Sequence, residues 1–182
     1  MQNDHKKIIK GCIKGNQKAQ MQLYNLYSKA MFNVSCRYFK NEEDAKDAMQ
    51  DGFLKAFNKI ENYTANYSFG VWLKRIIINQ CIDNLRKSKI EFTDFDYENI
   101  EIIDDEDWGF DISISKEIII NAIEQLGEKY KIVMKLYLIE GYDHEEISQI
   151  LTIPVKTSRT QLSRGRLQLR ELLKTEYNAT RY

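Results

Sequence analysis

Pro154 is the one proline in 182 residues, and with only eight glycines the chain holds little that interrupts a helix, so helices must do nearly all of its folding. Around that proline, from Leu138 to Leu173, two helical patterns meet at a turn. The first opens at Asp143-His144-Glu145-Glu146, an acidic N-cap with Glu three residues on, and repeats apolar residues at Ile147, Ile150 and Leu151. Thr152-Ile153-Pro154 forms the turn. Proline is tolerated in the first turn of a helix, so the second pattern starts at Pro154 or Val155, runs to about Lys174, and buries Val155, Leu162, Leu169 and Leu172. Lys156, Arg159, Thr160, Ser163 and Arg164 fall at i, i+3, i+4, i+7 and i+8 on another face. This is the sequence form of a helix-turn-helix, with hydrogen-bond donors suited to a major groove.

The same reading extends along the chain. Apolar spacing predicts a short helix with Ile8, Ile9, Cys12 and Ile13, ending near Gly15. A longer one spans Gln17 to about Phe39, presenting Ala19, Leu23, Leu26, Tyr27, Ala30, Met31, Val34 and Tyr38. A third covers Asn41 to Ile60 with Ala45, Ala48, Met49, Phe53, Ala56, Phe57 and Ile60 inward, and a fourth covers Val71 to Lys87 with Leu73, Ile76, Ile77, Ile82 and Leu85. These four share one bundle core. Helices over Ser115–Leu126 and Glu128–Glu140 complete a four-helix C-terminal domain with the helix-turn-helix. The fold class is therefore all-α, in two small helical domains joined by a linker.

The formal net charge is zero, but its distribution is uneven. Residues 1–90 hold 16 Lys and Arg against 8 Asp and Glu, residues 91–112 hold none against 10, and residues 113–182 hold 11 against 9. Two basic domains flank an acidic linker, which spans residues 90–113. From Pro154 to Lys174 there are six basic residues and only Glu171 acidic, so positive potential is concentrated on the second helix of the motif.

Cys12, Cys36 and Cys81 are odd in number, far apart, in apolar helical contexts and without metal-type spacing, which reads as buried free thiols in a reducing cytoplasm. The N-terminal Met-Gln-Asn-Asp-His-Lys-Lys is not followed by a signal-type apolar core, and no run is long enough to span a bilayer. A cytoplasmic protein without membrane insertion is expected. Enzyme chemistry has no constellation to support it: His144-Glu145-Glu146 opens like a zinc-protease helix, but Ser148 and Gln149 stand where a second His belongs, and the only other His is His5. Catalytic, metal and cofactor sites are all expected to be absent.

Three features of the first domain carry possible recognition chemistry. Asp44, Asp47 and Asp51 sit at i, i+3 and i+7, an acidic helix face that is either simply solvated or a dock for a basic partner. The loop Glu61-Asn62-Tyr63-Thr64-Ala65-Asn66-Tyr67-Ser68-Phe69-Gly70 is dense in aromatic and amide groups; its rings either stack on unpaired bases or cap the bundle. The following helix carries Lys74, Arg75, Asn79, Asp83, Arg86 and Lys87 beside Trp72, mostly donors suited to phosphates and bases.

Together these residues resemble the bacterial sigma-70 family, in particular its extracytoplasmic-function (ECF) group. Asp44-Ala45-x-Asp47-x-x-Gln50-Asp51-x-Phe53 is similar to the segment with which sigma factors grip the clamp helices of RNA polymerase. Phe69-x-x-Trp72-Leu73-x-x-Ile76-x-x-Asn79-x-x-Ile82-Asp83-x-x-Arg86 resembles the helix that melts and reads the minus-ten promoter element. Glu146-Ile147-x-x-Ile150-Leu151 with Thr157-x-Arg159-Thr160-Gln161-Leu162-Ser163-Arg164-Gly165-Arg166 resembles the family's minus-thirty-five reader. Three motifs in this order and spacing are more specific than any one alone.

The resemblance implies a division of labour. Residues 1–89 would bind core RNA polymerase through Asp44, Asp47, Gln50, Asp51 and Phe53. They would capture minus-ten DNA through Asn62, Tyr63, Asn66, Tyr67, Ser68, Phe69, Trp72, Lys74, Arg75, Asn79, Asp83 and Arg86. Residues 114–182 would read minus-thirty-five duplex through Lys156, Thr157, Arg159, Thr160, Ser163, Arg164 and Arg166. The acidic linker would thread a basic polymerase channel and keep the free chain off DNA. Core polymerase, promoter DNA and an anti-sigma factor are the implied partners. Two departures stand out: Thr152 occupies the turn position where the family usually has Gly, and Ser158 one where a small apolar residue packs, implying a slightly less stable domain. The competing reading is a helix-turn-helix regulator that binds duplex DNA without polymerase. An all-helical adaptor would leave the basic stripe from Lys156 to Arg166 unexplained.

Overall fold

Short polar caps set the helix boundaries. In a computed structural model that describes residues 2–87 and 115–179, α1 (Gln2–Ile13) ends as Gly15 turns left-handed at φ +73°. Asn16 then starts α2 (Gln17–Ser35), its side-chain oxygen accepting from Ala19 N at 3.1 Å. Asn41 does the same for α3 (Glu42–Asn58), accepting from Asp44 N at 2.7 Å. A 3-10 turn at Ile60–Asn62 and an extended loop lead into α4 (Phe69–Lys87). The second helix stops four residues short of the sequence expectation. Tyr38 is buried from the turn that follows it, which is why its spacing reads as helical.

The chain divides into two compact units, one within residues 1–89 and one within 90–182. In the N-terminal unit α2, α3 and α4 all pack against one another, α3 and α4 most extensively. Leu23, Leu73, Ile77, Ile78 and Ile82 are fully buried, each worth about 1.5–3 kcal/mol of transfer free energy. The face of α3 toward α4 is made of small residues, Ala45, Ala48, Gly52 and Ala56, all buried. Their size lets the backbones close: a Cβ on Gly52 would lie 2.5 Å from Ile77 Cδ1 and 3.3 Å from Ile77 Cα.

In the C-terminal unit Ser115 caps α5 (Lys116–Glu124). Then α6 (Glu128–Met134) continues into a π-helical segment, Lys135–Ile139, where Glu140 N donates to Lys135 O. Lys135 is buried there with Glu124 at 2.6 Å; burial pushes its pKa down and Glu124 opposes the shift. Gly141 closes the segment at φ +77°. The expected acidic cap is a complete capping box for α7 (His144–Leu151): Asp143 accepts from Glu146 N at 2.8 Å, and Glu146 accepts from Asp143 N at 3.2 Å. After the turn, α8 (Val155–Ala179) packs on α5, α6 and α7.

All the described regular structure is helical, so the all-α expectation holds. The expected acidic linker lies outside the described residues. Several expected core positions differ: Leu173, not Leu172, is buried on α8 with Leu162 and Leu169, Val155 is half-buried, and Ile13, Leu26, Ala30 and Cys36 are exposed. No helix among the described residues is long and apolar enough to cross a membrane.

Thr152 holds the turn in the left-handed region, φ +54° and ψ +44°, with its N–H donating to Ser148 O. A β-branched residue is strained there by about 1–2 kcal/mol, part of which glycine returns as unfolded-state entropy. Thr152→Gly should therefore stabilise the unit by about 0.5–1 kcal/mol, read as a thermal midpoint a few degrees higher.

Candidate nucleic-acid interface

The solvent face of α8 is built by its buried back. Ser158, Gln161, Leu162, Gly165 and Leu169 all turn inward. At Gly165 a Cβ would come within 3.2 Å of Met134 Cγ and 3.3 Å of Tyr130 Cβ, so α6 and α8 approach closely there. Lys156, Arg159, Thr160 and Ser163 consequently share the opposite face, with Lys156 and Arg159 exposed. Thr157 and Arg164 flank that face on one side and Arg166 on the other, each half-buried. Arg170 continues the line at i+7 from Ser163, a position the sequence reading passed over although the spacing marks it. Thr160 Oγ1 donates to Lys156 O at 2.9 Å, leaving its lone pairs outward. Arg159 lies 3.6 Å from Glu145, both more than half exposed, a pair too solvated to hold the guanidinium from DNA.

Ser158 is fully buried and does not leave a gap. Its Oγ lies 2.9 Å from His144 Nδ1, tying the start of α7 to the first turns of α8. His144 stacks on Tyr137 at 5.0 Å, and Arg166 lies over the same Tyr137 ring at 5.6 Å. The departure at Ser158 is thus matched by a polar partner fourteen residues earlier. No periodicity would have found it, because neither residue signals the other locally.

Burial pushes the His144 pKa down, and Arg159 and Arg166 push it the same way; Glu145 and Asp143 oppose them. A depressed imidazole contributes stability above its unfolded pKa of about 6.5, lost as pH falls from there through the folded value. His144→Asn keeps an amide able to reach Ser158 but does not titrate. The stability difference between wild type and H144N, followed by denaturant unfolding from pH 8 to pH 5, should move toward the variant below about pH 6.5.

In the N-terminal unit the predicted residues separate. Asp44, Asp47, Gln50 and Asp51 are exposed along α3. Phe53 is not with them: it is 3 % exposed and packs on Tyr24 and Phe57 at ring distances of 4.8 and 6.0 Å. It lies about half a turn from Asp44 on the helical wheel, so direct contact with a partner is corrected to a core role. Leu54, missed by the sequence reading, is 62 % exposed and falls between Asp47 and Gln50 on that wheel.

The loop before α4 resolves its two readings residue by residue. Asn62, Asn66, Tyr67 and Ser68 are exposed. Tyr63 is half-buried, and its hydroxyl donates to Tyr67 O at 2.8 Å. Ala65 makes the bend at φ +58°. Ser68 accepts from Val71 N through both its hydroxyl and its carbonyl, starting α4. Phe69 is buried at 3 % exposure, so it supports the loop and does not face DNA, a second correction. Along α4, Trp72, Arg75, Asn79, Asp83 and Arg86 share one half-buried face at i, i+3, i+7, i+11 and i+14. Lys74 falls off that face. Asp83 meets Lys55 of α3 at 3.0 Å, and buried Gln80 donates to Asp51 at 3.3 Å, so the α3 and α4 surfaces are joined by polar contacts.

Comparison with known proteins gives two family matches in the same order as these surfaces: Sigma-70 region 2 over residues 23–90 and Sigma-70 region 4 over residues 116–169. The chain is 33 % identical to the ECF RNA polymerase sigma factor SigW of Bacillus subtilis, with 93 % of this chain and 96 % of that protein covered. It is 28 % identical to the ECF RNA polymerase sigma-E factor of Escherichia coli, covering 87 % and 88 %. Among solved structures, the sigma factor RpoE of Bartonella quintana, determined in complex with the anti-sigma factor NepR, has the same fold. Its TM-score is 0.55 at 24 % identity, covering 85 % of this chain and 96 % of that one.

Proposed function

The chain belongs to the ECF group of the sigma-70 family, and from that membership we propose that it is the subunit that gives core RNA polymerase its promoter specificity in the cytoplasm, with no catalytic chemistry of its own. The observation that carries this reading is the coexistence in one chain of a helix-turn-helix with an exposed basic face and an aromatic, amide-rich loop continuing into a polar helix. A duplex reader alone has no use for the second element. Unpaired bases do, since stacking is worth about 1–3 kcal/mol per base and offsets the cost of extruding it.

In this reading the unit within residues 1–89 carries two tasks. Asp44, Asp47, Gln50 and Asp51, with Leu54 as an apolar anchor among them, form the face for core polymerase. Asn62, Tyr63, Asn66, Tyr67 and Ser68 take unpaired minus-ten bases, and Trp72, Arg75, Asn79 and Arg86 follow the strand along α4. Residues 114–182 dock α8 in the minus-thirty-five major groove through Lys156, Arg159, Thr160 and Ser163, with Thr157, Arg164 and Arg166 at the flanks. The acidic stretch 90–113 threads the polymerase between them. Until needed, these surfaces are covered by an anti-sigma factor, a class of partner with which the Bartonella quintana relative was crystallised.

Native mass spectrometry of the chain with and without purified core polymerase tests this assignment. One copy per polymerase, with no stable duplex complex of the chain alone, is the expected result. A dimer that binds duplex DNA tightly without polymerase would instead identify a conventional regulator.

A further inference from the structure

The aromatic loop is held from below by a helix that lies outside both family matches. At the centre is Phe69, with the rings of Tyr63 and Trp72 each at 5.3 Å, Tyr27 at 5.4 Å and His5 at 6.0 Å. Tyr27, on α2, presses on the first turn of α4: a Cβ at Gly70 would lie 3.1 Å from Tyr27 Cε1. Its hydroxyl in turn is hydrogen-bonded to His5 Nε2 on α1 at 2.8 Å. At the other end of the cluster Tyr63 donates to Tyr67 O, fixing the loop tip. A continuous path of one hydrogen bond, packed rings and a second hydrogen bond therefore runs from α1 to the exposed Tyr67 and Asn66. Helix α1 also packs on α2 and on the 3-10 turn where the loop begins.

We infer that His5 and Tyr27 are positioning residues for single-strand capture, α1 serving as the buttress that holds the loop at 61–68 in the shape that receives an unpaired base. Neither touches DNA. Tyr27 without its partner would leave a half-buried hydroxyl unpaired and its ring free to shift, and Phe69, Tyr63 and Trp72 rest on that ring. Loop geometry matters more here than overall stability, because a base flipped from the duplex must find its stacking partner already placed.

The inference rests on the loop's proposed role in minus-ten capture, so the test separates the two. A promoter recovered by transcribing genomic fragments with core polymerase and wild-type chain serves as template. Opening rates at saturating DNA are then compared for wild type, His5→Ala, His5→Gln and Tyr27→Phe. Tyr27→Phe removes only a hydroxyl, so the bundle stays folded whatever becomes of His5→Ala. Both H5A and Y27F should open the promoter about two- to tenfold more slowly, the size expected for one lost hydrogen bond. H5Q should restore the rate, because its amide reaches the Tyr27 hydroxyl. Binding to core polymerase and to the upstream duplex should not change, and amides 61–68 of the free variants should exchange hydrogen faster than wild type. Opening by H5A and Y27F at the wild-type rate, with the wild type transcribing, would overturn the inference alone. A wild-type chain that directs no transcription would overturn the functional reading and this inference with it.

Discussion

Replacing Gly52 by valine should lower the thermal midpoint of the N-terminal unit by roughly 10–20 °C, a loss of about 2–3 kcal/mol. The cause is the contact between α3 and α4. The first carbon added at Gly52 would lie 2.5 Å from Ile77 Cδ1 and 3.3 Å from the Ile77 backbone, and valine then adds two methyls in the same crowded space. The helices must separate, and with them the exposed Asp face of α3 and the polar face of α4 that Lys55–Asp83 and Gln80–Asp51 hold in register. A control isolates the contact. Gly52→Ala should cost less when Ile77→Val has removed the clashing methyl, so the pair should show favourable coupling in a double-mutant cycle followed by thermal unfolding. Equal costs in both backgrounds would place the strain elsewhere.

Two charge substitutions should divide the proposed functions cleanly. Arg159→Ala removes an exposed guanidinium from the outward face of α8, and a lost bidentate base contact is worth about 1–3 kcal/mol, or roughly 5- to 150-fold in recognition of the upstream element. Binding to core polymerase should be unaffected. Asp47→Lys reverses a charge in the middle of the exposed acidic face of α3 and should weaken assembly with polymerase by tenfold or more, with a reduced salt dependence. Its helix-turn-helix stays intact, so any polymerase it still binds should recognise the same upstream sequence. Titration against core polymerase, followed by promoter binding of the assembled complex, reads both. Equal losses of assembly in the two variants would contradict the division of tasks between the units.

What the sequence made legible was local. The capping box of Asp143 and Glu146 is two residues signalling each other across one turn, and the structure contains both of its hydrogen bonds. The apolar spacing likewise located most of the buried residues of α1, α2, α3 and α7, whereas Ile78 and Cys81 of α4 and the buried Ala122, Ile123, Ile132, Val133 and Met134 of α5 and α6 were not assigned from it. Errors arose where a contact joins residues distant in the chain. Phe69 carries a motif position and yet faces inward, its ring packed against Tyr27 of α2 and Tyr63 of the loop, while Phe53, which the apolar spacing alone places inward, is turned outward only by the motif resemblance. Gly52 and Gly165 look like interruptions of a helical pattern until the facing helix is present to show what a side chain would strike. His144 and Ser158 are the clearest instance: each alone suggests a weakness or a failed metal motif, and together they join the two helices of the DNA reader. The π-helical turn at Lys135–Ile139 belongs here too. Its backbone spacing has no periodic signature in five residues.

Run-off transcription from a genomic fragment library, with purified core polymerase plus this chain, addresses the central claim most directly. Discrete transcripts that start only when the chain is present, and whose start sites share two separated upstream elements, are the expected result. Core polymerase that initiates at the same sites with and without the chain, or at none with it, would contradict the account.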